Sequence, residues 1–439
     1  MPRIIDLFSG LGGIRLGFTQ AMNDLGLETE CVFSSEIKPY AIQAYRSYYG
    51  QNEEVFGDIT QADVNRDIPD FDFLLAGFPC QPFSSAGNRR GFADTRGTMF
   101  FEIERILQEK MQSGHPAQGF LLENVEGLIS HDEGNTLRTI IGHLEALGYV
   151  VNYRLIDSQF FGLPQSRKRV YIVGTLNQII DLDNFAVHQV NLGTILQEGL
   201  PTVNSIFTQQ LFTYYTAQQV AGMSIKDKRG GGNNIHSWDI DLKGPTTQQE
   251  KDLLNTLLKE RRKKHWADVI GIKWMDGMPL TEEQIRTFFD VPNLHQILTN
   301  LTNLGYLTYE HPKQQIENEN GVTIRVPDEK LEKGYNIVAG KLSFEFSKIL
   351  DPTQLAPTLV AMDVAKLGVV DGNGIRRLSI RECQRLCGYP DDYDLDMITE
   401  TEAFDLLGNT VCVPVIRSIA SRLGEYYVNE AAEREDVAI

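Results

Sequence analysis

Six short apolar runs, at 3–8, 30–34, 71–76, 119–123, 150–155 and 169–173, alternate with stretches whose apolar residues recur every three or four positions, at 41–49, 100–112 and 136–147. Alternation of that kind predicts βαβ units building a mostly parallel sheet. Several of the runs are apolar almost without interruption, as strands covered on both faces require. From about residue 180 the chain turns rich in Gln, Asn and Thr, with weaker strand signals. Within this stretch 247–266 reads as a helix, its Leu253, Leu254, Leu257 and Leu258 at helical spacing. Thr281 is placed to cap a short helix to Phe289, with Glu282 and Glu283 at its positive end. A second helix is expected over 291–302, and Gly305-Tyr306-Leu307 opens a hairpin-like stretch to Val326. Helix, turn, helix and wing over 247–326 is one way to place side chains in a DNA groove; the plainer reading is three packed helices that touch no DNA. After about 350 ordered patterning returns and ends in a helix from Val413 to Tyr427. The expected division is therefore 1–180, an inserted 181–350, and a return at 351–439.

Composition narrows the partners. Of 439 residues 42% are hydrophobic and 23% charged, ordinary for a globular chain. A formal net charge of −18 argues against non-specific nucleic-acid binding, which rewards cations. The charge is uneven, however: from Lys226 to Lys264 ten Lys/Arg stand against six Asp/Glu. Any nucleic-acid contact has to be local. No apolar run is long enough to span a bilayer, and Pro2-Arg3 leads directly into the first apolar run rather than into a signal peptide. Cys31, Cys80, Cys383, Cys387 and Cys412 are too scattered for a disulfide framework, so a reducing cytoplasm is expected; a monomer is expected separately. Cys383 and Cys387, four apart on an expected helix, lack the further ligands of a metal site; core packing is their reading, and no metal is expected. The run Arg261–Lys264 reads as a solvated or DNA-facing helix face.

Chemistry gathers where the strands end. DLFSGLGGIRLGF, from Asp6 to Phe18, takes a strand through a glycine-rich turn into a helix, so that backbone can approach a nucleotide-like ligand. It is not the dinucleotide fingerprint, because Arg15 occupies the third glycine position after Gly10 and Gly12. Glu36, past the next strand, is placed to accept from ribose hydroxyls, and Asp58 in GDIT to accept from an adenine amino group. A ribose acid without a pyrophosphate cradle favours S-adenosylmethionine over a nicotinamide cofactor. In GFPCQPFSSAG two prolines fix the backbone around Cys80 at a strand's carboxyl edge, where open α/β sheets bind ligands. A thiol with a pKa of about 8.5 needs lowering or base assistance at neutral pH. Glu123, in GFLLENV, ends another strand, and Arg167 and Arg169 alternate along GLPQSRKRVYIVG so that both face one side of an extended segment.

Taken together these segments resemble the DNA (cytosine-5) methyltransferase family, of the bacterial or phage restriction-modification type. DLFSGLGG, SSE, GDIT, GFPCQPFS, GFADTRGTMFFEI, ENV, QSRKR, RRLSIRECQRLCGYP and LLGNTVCVPV follow in the family's order across 1–175 and 350–420. The gap between QSRKR and RRLSIREC falls where that family keeps its variable target-recognition region. The resemblance implies an α/β fold, a Rossmann-like S-adenosylmethionine-dependent methyltransferase sheet with a smaller inserted target-recognition domain. It implies transfer of a methyl group to carbon 5 of a cytosine flipped out of double-stranded DNA, since a stacked base is out of reach. Cys80 matches the nucleophile that adds to C6, Glu123 the carboxylate at N3 and the exocyclic amine, and Arg167 and Arg169 the cations that steady the base or a phosphate. Cofactor matches fall on Phe8, Gly10, Gly12, Glu36, Ile37, Asp58, Ile59, Pro79 and Asn409. Ile37 departs from the aromatic often found there, which weakens adenine stacking. The loop 84–98, with Arg89, Arg90 and Arg96, matches a lid over DNA. A restriction endonuclease is the implied functional companion. The alternatives are an RNA (tRNA) cytosine-5 methyltransferase of the same fold and an inactive DNA-binding regulator.

Overall fold

The computed structural model describes residues 1–79, 99–228, 232–317, 323–338 and 344–437. They form two compact units, one of Met1–Gln197, Pro352–Ala365 and Leu378–Ile439, the other of Glu198–Asp351 and Lys366–Arg377. The inserted unit thus begins later than residue 181 and reclaims 366–377 from the expected return segment.

The first unit opens with β1 (Arg3–Leu7), α1 (Gly13–Asp24), β2 (Glu30–Ser35), α2 (Pro39–Tyr49), α3 (Val64–Asp67) and β3 (Phe73–Gly77). It continues through α4 (Met99–Gln112), β4 (Gly119–Val125), α5 (Gly127–Ser130), α6 (Asn135–Ala146), β5 (Val150–Asp157) and β6 (Lys168–Thr175). The sheet order is β2-β1-β3-β4-β6-β5. The first four strands are parallel, while β6 runs antiparallel to both β4 and β5. Side chains alternate across the sheet. Ile5, Leu7, Leu74, Ala76, Phe120 and Leu122 pack under α4 and α6, and Ile4, Phe73, Leu75 and Leu121 face the other way. Burial on both faces explains the unbroken apolar runs. Only β5, at the edge, exposes Tyr153 and Leu155.

The second unit carries α7 (Ile206–Tyr214), α8 (Ala217–Val220), β7 (Ser224–Ile225), β8 (Asn234–Ile235), α9 (Gln248–Glu260), α10 (His265–Ile270), α11 (Glu282–Arg286) and α12 (Leu294–Asn303). Its later strands are β9 (Leu307–Glu310), β10 (Lys313–Glu317), β11 (Thr323–Pro327), β12 (Gly334–Ile337), β13 (Lys348–Leu350), β14 (Leu367–Asp371) and β15 (Gly374–Arg377). One five-stranded sheet runs β15-β14-β13-β7-β8, which is why 366–377 belongs here. The helix expected over 247–266 breaks after Glu260. Arg261 is buried there and donates to Asn336 Oδ1 at 2.5 Å, while its carbonyl accepts from Met278 N at 2.9 Å. A solvated Arg261–Lys264 face is therefore wrong for Arg261; of the others, Arg262 pairs with Asp276 and Lys263 with Glu260.

The chain returns to the first unit with α13 (Ile380–Cys387), α14 (Glu400–Asn409) and α15 (Val413–Val437). Helix α15 lies on α1, where Gly17 lets Ile416 approach: a Cβ on Gly17 would stand 2.7 Å from the Ile416 Cβ. Cys383 and Cys387 are fully buried on α13. Among the described residues no single helix is long and apolar enough to cross a membrane.

Candidate active site

Four parallel strands end at one edge, and their carboxyl ends carry the residues singled out above. After Leu7 the chain turns through Phe8 (φ 55°), Gly10 (φ 52°) and Gly12 (φ 68°) into α1. Left-handed backbone at a phenylalanine costs about 1 kcal/mol or more and persists only where surroundings enforce it. The two glycines serve different ends. A Cβ on Gly12 would collide with the Tyr49 ring and lie 2.8 Å from Tyr45 Cε2, whereas one on Gly10 would meet nothing within 4 Å among the described residues. Gly12 is thus fixed by packing; Gly10 leaves an open backbone face.

Glu36 follows β2 and is brought to that turn. Its Oε2 accepts from Gly10 N at 2.9 Å, and its Oε1 accepts from Ile37 N at 2.8 Å and Lys38 N at 2.9 Å. Three backbone donors orient a half-buried carboxylate, and Oε2 keeps an acceptor site for a ligand hydroxyl. Asp58 is exposed and takes Thr60 N and Thr60 Oγ1 on Oδ1, at 3.0 and 2.8 Å, as the cap of a short 3-10 turn. Ile59 behind it is buried in the core, so only its backbone can serve a ligand, while Ile37 is 70% exposed and Pro79 also faces solvent. Asn409, exposed at the end of α14, donates to Asp405 O at 2.9 Å and Oδ1 at 3.1 Å. Asp405 Oδ2 accepts in turn from Lys38 Nζ and Tyr40 Oη, both at 2.7 Å, which ties α14 to the segment after Glu36.

At the end of β4 the antiparallel β6 places Arg169 opposite Val125. Arg169 Nε lies 3.0 Å from Glu123 Oε1, both side chains being largely buried. Burial pushes the Glu123 carboxyl above its ordinary 4.5; Arg169 and Arg167 pull it down without cancelling that effect. Glu123 also stands beside Gly77 in register on β3, one strand nearer the turn to Cys80. Cys80 itself, with Arg89, Arg90 and Arg96, lies outside the described residues. Asn124, which the motif contains but sequence reasoning passed over, donates from Nδ2 to Phe78 O at 3.1 Å and accepts from Val125 N at 2.8 Å. It therefore pins the backbone two residues before Cys80. Val125, Glu126, Gly127, Ser166, Lys168, Arg169 and Thr358 line an open cleft of about 370 Å³ at this end.

Arg167 is placed differently from Arg169. It is buried and donates to the carbonyls of Leu359 (2.9 Å), Gly408 (3.2 Å) and Thr410 (2.5 Å). Its fork is spent on backbone, not turned out toward a base or phosphate, and two of the three carbonyls flank Asn409. Gln165, fully buried, accepts from Leu359 N and donates to Leu386 O, each at 2.9 Å. Asp6 was likewise unforeseen. Burial pushes its carboxyl up to about 7 against the opposing pull of Arg15 and Tyr45, and among the described residues its Oδ1 has no hydrogen-bond partner. No sequence signal separates such buried polar groups from surface ones; the partners of Arg167 and Gln165 arrive only with the C-terminal segment.

Comparison with known proteins agrees with this layout. Residues 2–425 match the family described as C-5 cytosine-specific DNA methylase. The chain belongs to that family. The Type II methyltransferase M.NlaIV of Neisseria lactamica is 53% identical over 428 residues, covering 96% of this chain and 98% of its own length. M.BanI of Aneurinibacillus aneurinilyticus, also a Type II methyltransferase, is 40% identical over 454 residues, 98% of this chain and 97% of its own. Among solved structures, S. pombe Dnmt2 methyltransferase shares the fold at TM-score 0.51 and 17% identity, covering 97% of this chain and 99% of that one. The methyltransferase is a DNA cytosine-5 enzyme that uses S-adenosylmethionine, and its sheet is the mixed, parallel-rich one of that group.

Proposed function

We propose that the methyltransferase modifies a specific duplex sequence by covalent catalysis at Cys80, with Glu123 and Arg169 acting on the same flipped cytosine. The observation that carries this is the buried Glu123–Arg169 pair, set one strand from the Phe78-Pro79 turn that delivers residue 80. Cytosine C5 is a weak nucleophile. Addition of the Cys80 thiolate to C6 forms an S–C6 bond and moves the ring's electron pair toward C5. Glu123, whose burial holds its proton more tightly than water would, donates a hydrogen bond or a proton at N3 and so stabilises the charge that arrives there. Arg169 holds the carboxyl in place. C5 then takes the methyl group, and loss of its proton with departure of the sulfur restores the ring.

S-adenosylmethionine supplies, when bound, a methyl group activated by its sulfonium. The residues present fit it: an open backbone face at Gly10, the oriented Glu36 carboxylate, and exposed Asp58. Glu36 is assigned to the ribose hydroxyls, Asp58 and the Ile59 backbone to the adenine edge, and Phe8, Ile37 and Pro79 to apolar contact around it. Asn409 closes the site from α14. Arg167 is assigned a positioning role, holding the carbonyls on either side of Asn409 rather than a base. The Type II names of the relatives support a restriction-modification role with a companion endonuclease, in the cytoplasm where a chain of this cysteine content stays reduced.

The Cys80→Ala variant tests the assignment. It is expected to bind S-adenosylmethionine as the wild type does and to transfer no methyl to duplex DNA; turnover by that variant would contradict covalent catalysis.

A further inference from the structure

The second unit contains a module with an apolar core of its own. Helices α9, α11 and α12 pack around one apolar core with Leu280, Ile285, Leu307 and Ile337. Leu280 pairs antiparallel with Tyr335 of β12, N to O at 3.0 and 2.7 Å, and β12 pairs with β9. The approach is close enough to require glycine next door, since a Cβ on Gly334 would stand 2.6 Å from the Leu280 carbonyl carbon. Apart from the added turn of α10 and a bridge at Leu280 in place of a full first strand, the order of helix, bridge, two helices and then β9 and β12 flanking the β10–β11 hairpin is that of a winged helix. In such a module the helix before the wing is the one presented to a DNA groove.

The surface of that helix has the matching chemistry. Leu294, Ile297, Leu298 and Leu301 of α12 are buried, and Asn300 anchors it to Glu250 of α9 at 2.6 Å. The opposite face exposes His295, Gln296, Thr299 and Asn303. No carboxylate and no lysine or arginine occurs on α12, in a chain whose net charge is −18. Solvent-facing helix surfaces usually mix charged with neutral polar residues, whereas this one carries no formally charged carboxylate, Lys or Arg at all. Amides and a hydroxyl are instead the groups that pair with base edges, Asn and Gln with adenine above all. The carboxylates of Glu282 and Asp290, near its start, are both held by Arg286. On the hairpin, Gln315 and Arg325 face each other in register, and both are exposed, which gives the wing a cation for phosphate.

We propose that this inserted winged helix docks on duplex DNA, with α12 in the major groove and Gln296, Thr299 and Asn303 reading base edges. The proposal rests on the duplex-DNA reading above and deepens it by naming the element that sets sequence preference. The test compares wild type, the triple variant Gln296→Ala/Thr299→Ala/Asn303→Ala and the near-isosteric Asn303→Asp, each checked by thermal melting and cofactor binding. At saturating cofactor the triple variant should raise KM for duplex DNA about tenfold or more with kcat little changed, and sequencing of methylated DNA should show relaxed preference at one or more positions. Asn303→Asp, which keeps packing intact, should also raise KM through repulsion. Arg325→Ala should weaken binding equally on all sequences and reduce its salt dependence. Folded variants with wild-type KM and wild-type sequence preference would overturn the groove contact while leaving the methyltransferase reading intact. A wild-type enzyme that methylated RNA and no duplex would overturn both.

Discussion

Glu123 shows how one residue takes its chemistry from its neighbours. Desolvation favours its neutral form and Arg169 opposes that, so the proton is held more tightly than in water but less tightly than burial alone dictates. A rate limb that depends on protonated Glu123 falls as pH rises through this raised value. Replacing Arg169 by Gln removes the downward pull, so that limb should move to higher pH while kcat drops. A pH profile of single-turnover methylation checks it, and an unmoved limb would mean the two groups do not share the reacting base. Arg167 makes the contrasting case. Arg167→Met leaves three buried carbonyls without a donor and should lower stability by roughly 3 kcal/mol. It should also weaken S-adenosylmethionine binding, because Gly408 and Thr410 flank Asn409. Calorimetric titration with the cofactor reads this second effect, which a merely structural role far from Asn409 would not produce.

Among elements, the turn between β1 and α1 is the most constrained. Gly12→Ala adds left-handed strain to a collision with Tyr49 and should cost roughly 2–4 kcal/mol, whereas Gly10→Ala carries only the strain of its φ. Denaturant melts of the two variants should rank in that order. The same turn shows what was legible beforehand. Strands and helices of the first unit follow from apolar periodicity, and most of their bounds fall within two residues of the pattern, because a sheet covered on both faces leaves the chain little choice. The reversal of β6 was not legible: periodicity reports which face a residue takes, not the direction of the strand. Nor was the break at Arg261, where a buried guanidinium bonding to Asn336 outweighs helical spacing. At the site, the motifs gave Arg167 and Arg169 one shared task. Arg167 and Arg169 look equivalent on an extended segment, and only the folded-back C-terminal segment separates them.

For the whole molecule, acidity and a DNA substrate are reconciled by locality, since contacts depend on a few faces and not on the total of −18. Buried Asp6 gives the stability of the fold a pH dependence of its own. The folded chain holds this proton up to about pH 7, whereas an unfolded one releases it near 3.8. Its contribution is complete below the lower value and is lost as pH climbs to the upper, at most about 4 kcal/mol in all. Asp6→Asn should flatten the decline of melting temperature over that window, and an unchanged slope would assign the decline to other groups.

The central claim, a transient bond between the sulfur of residue 80 and a cytosine ring, is met most directly by trapping it. With S-adenosylmethionine and duplex DNA carrying 5-fluorocytosine at the target, fluorine replaces the proton that must leave, so the adduct cannot resolve. Denaturing electrophoresis and peptide mass spectrometry should then find a protein–DNA species joined through Cys80. Methylation of the ordinary target with no trapped species on the fluorinated one, or a link through another residue, would contradict the account.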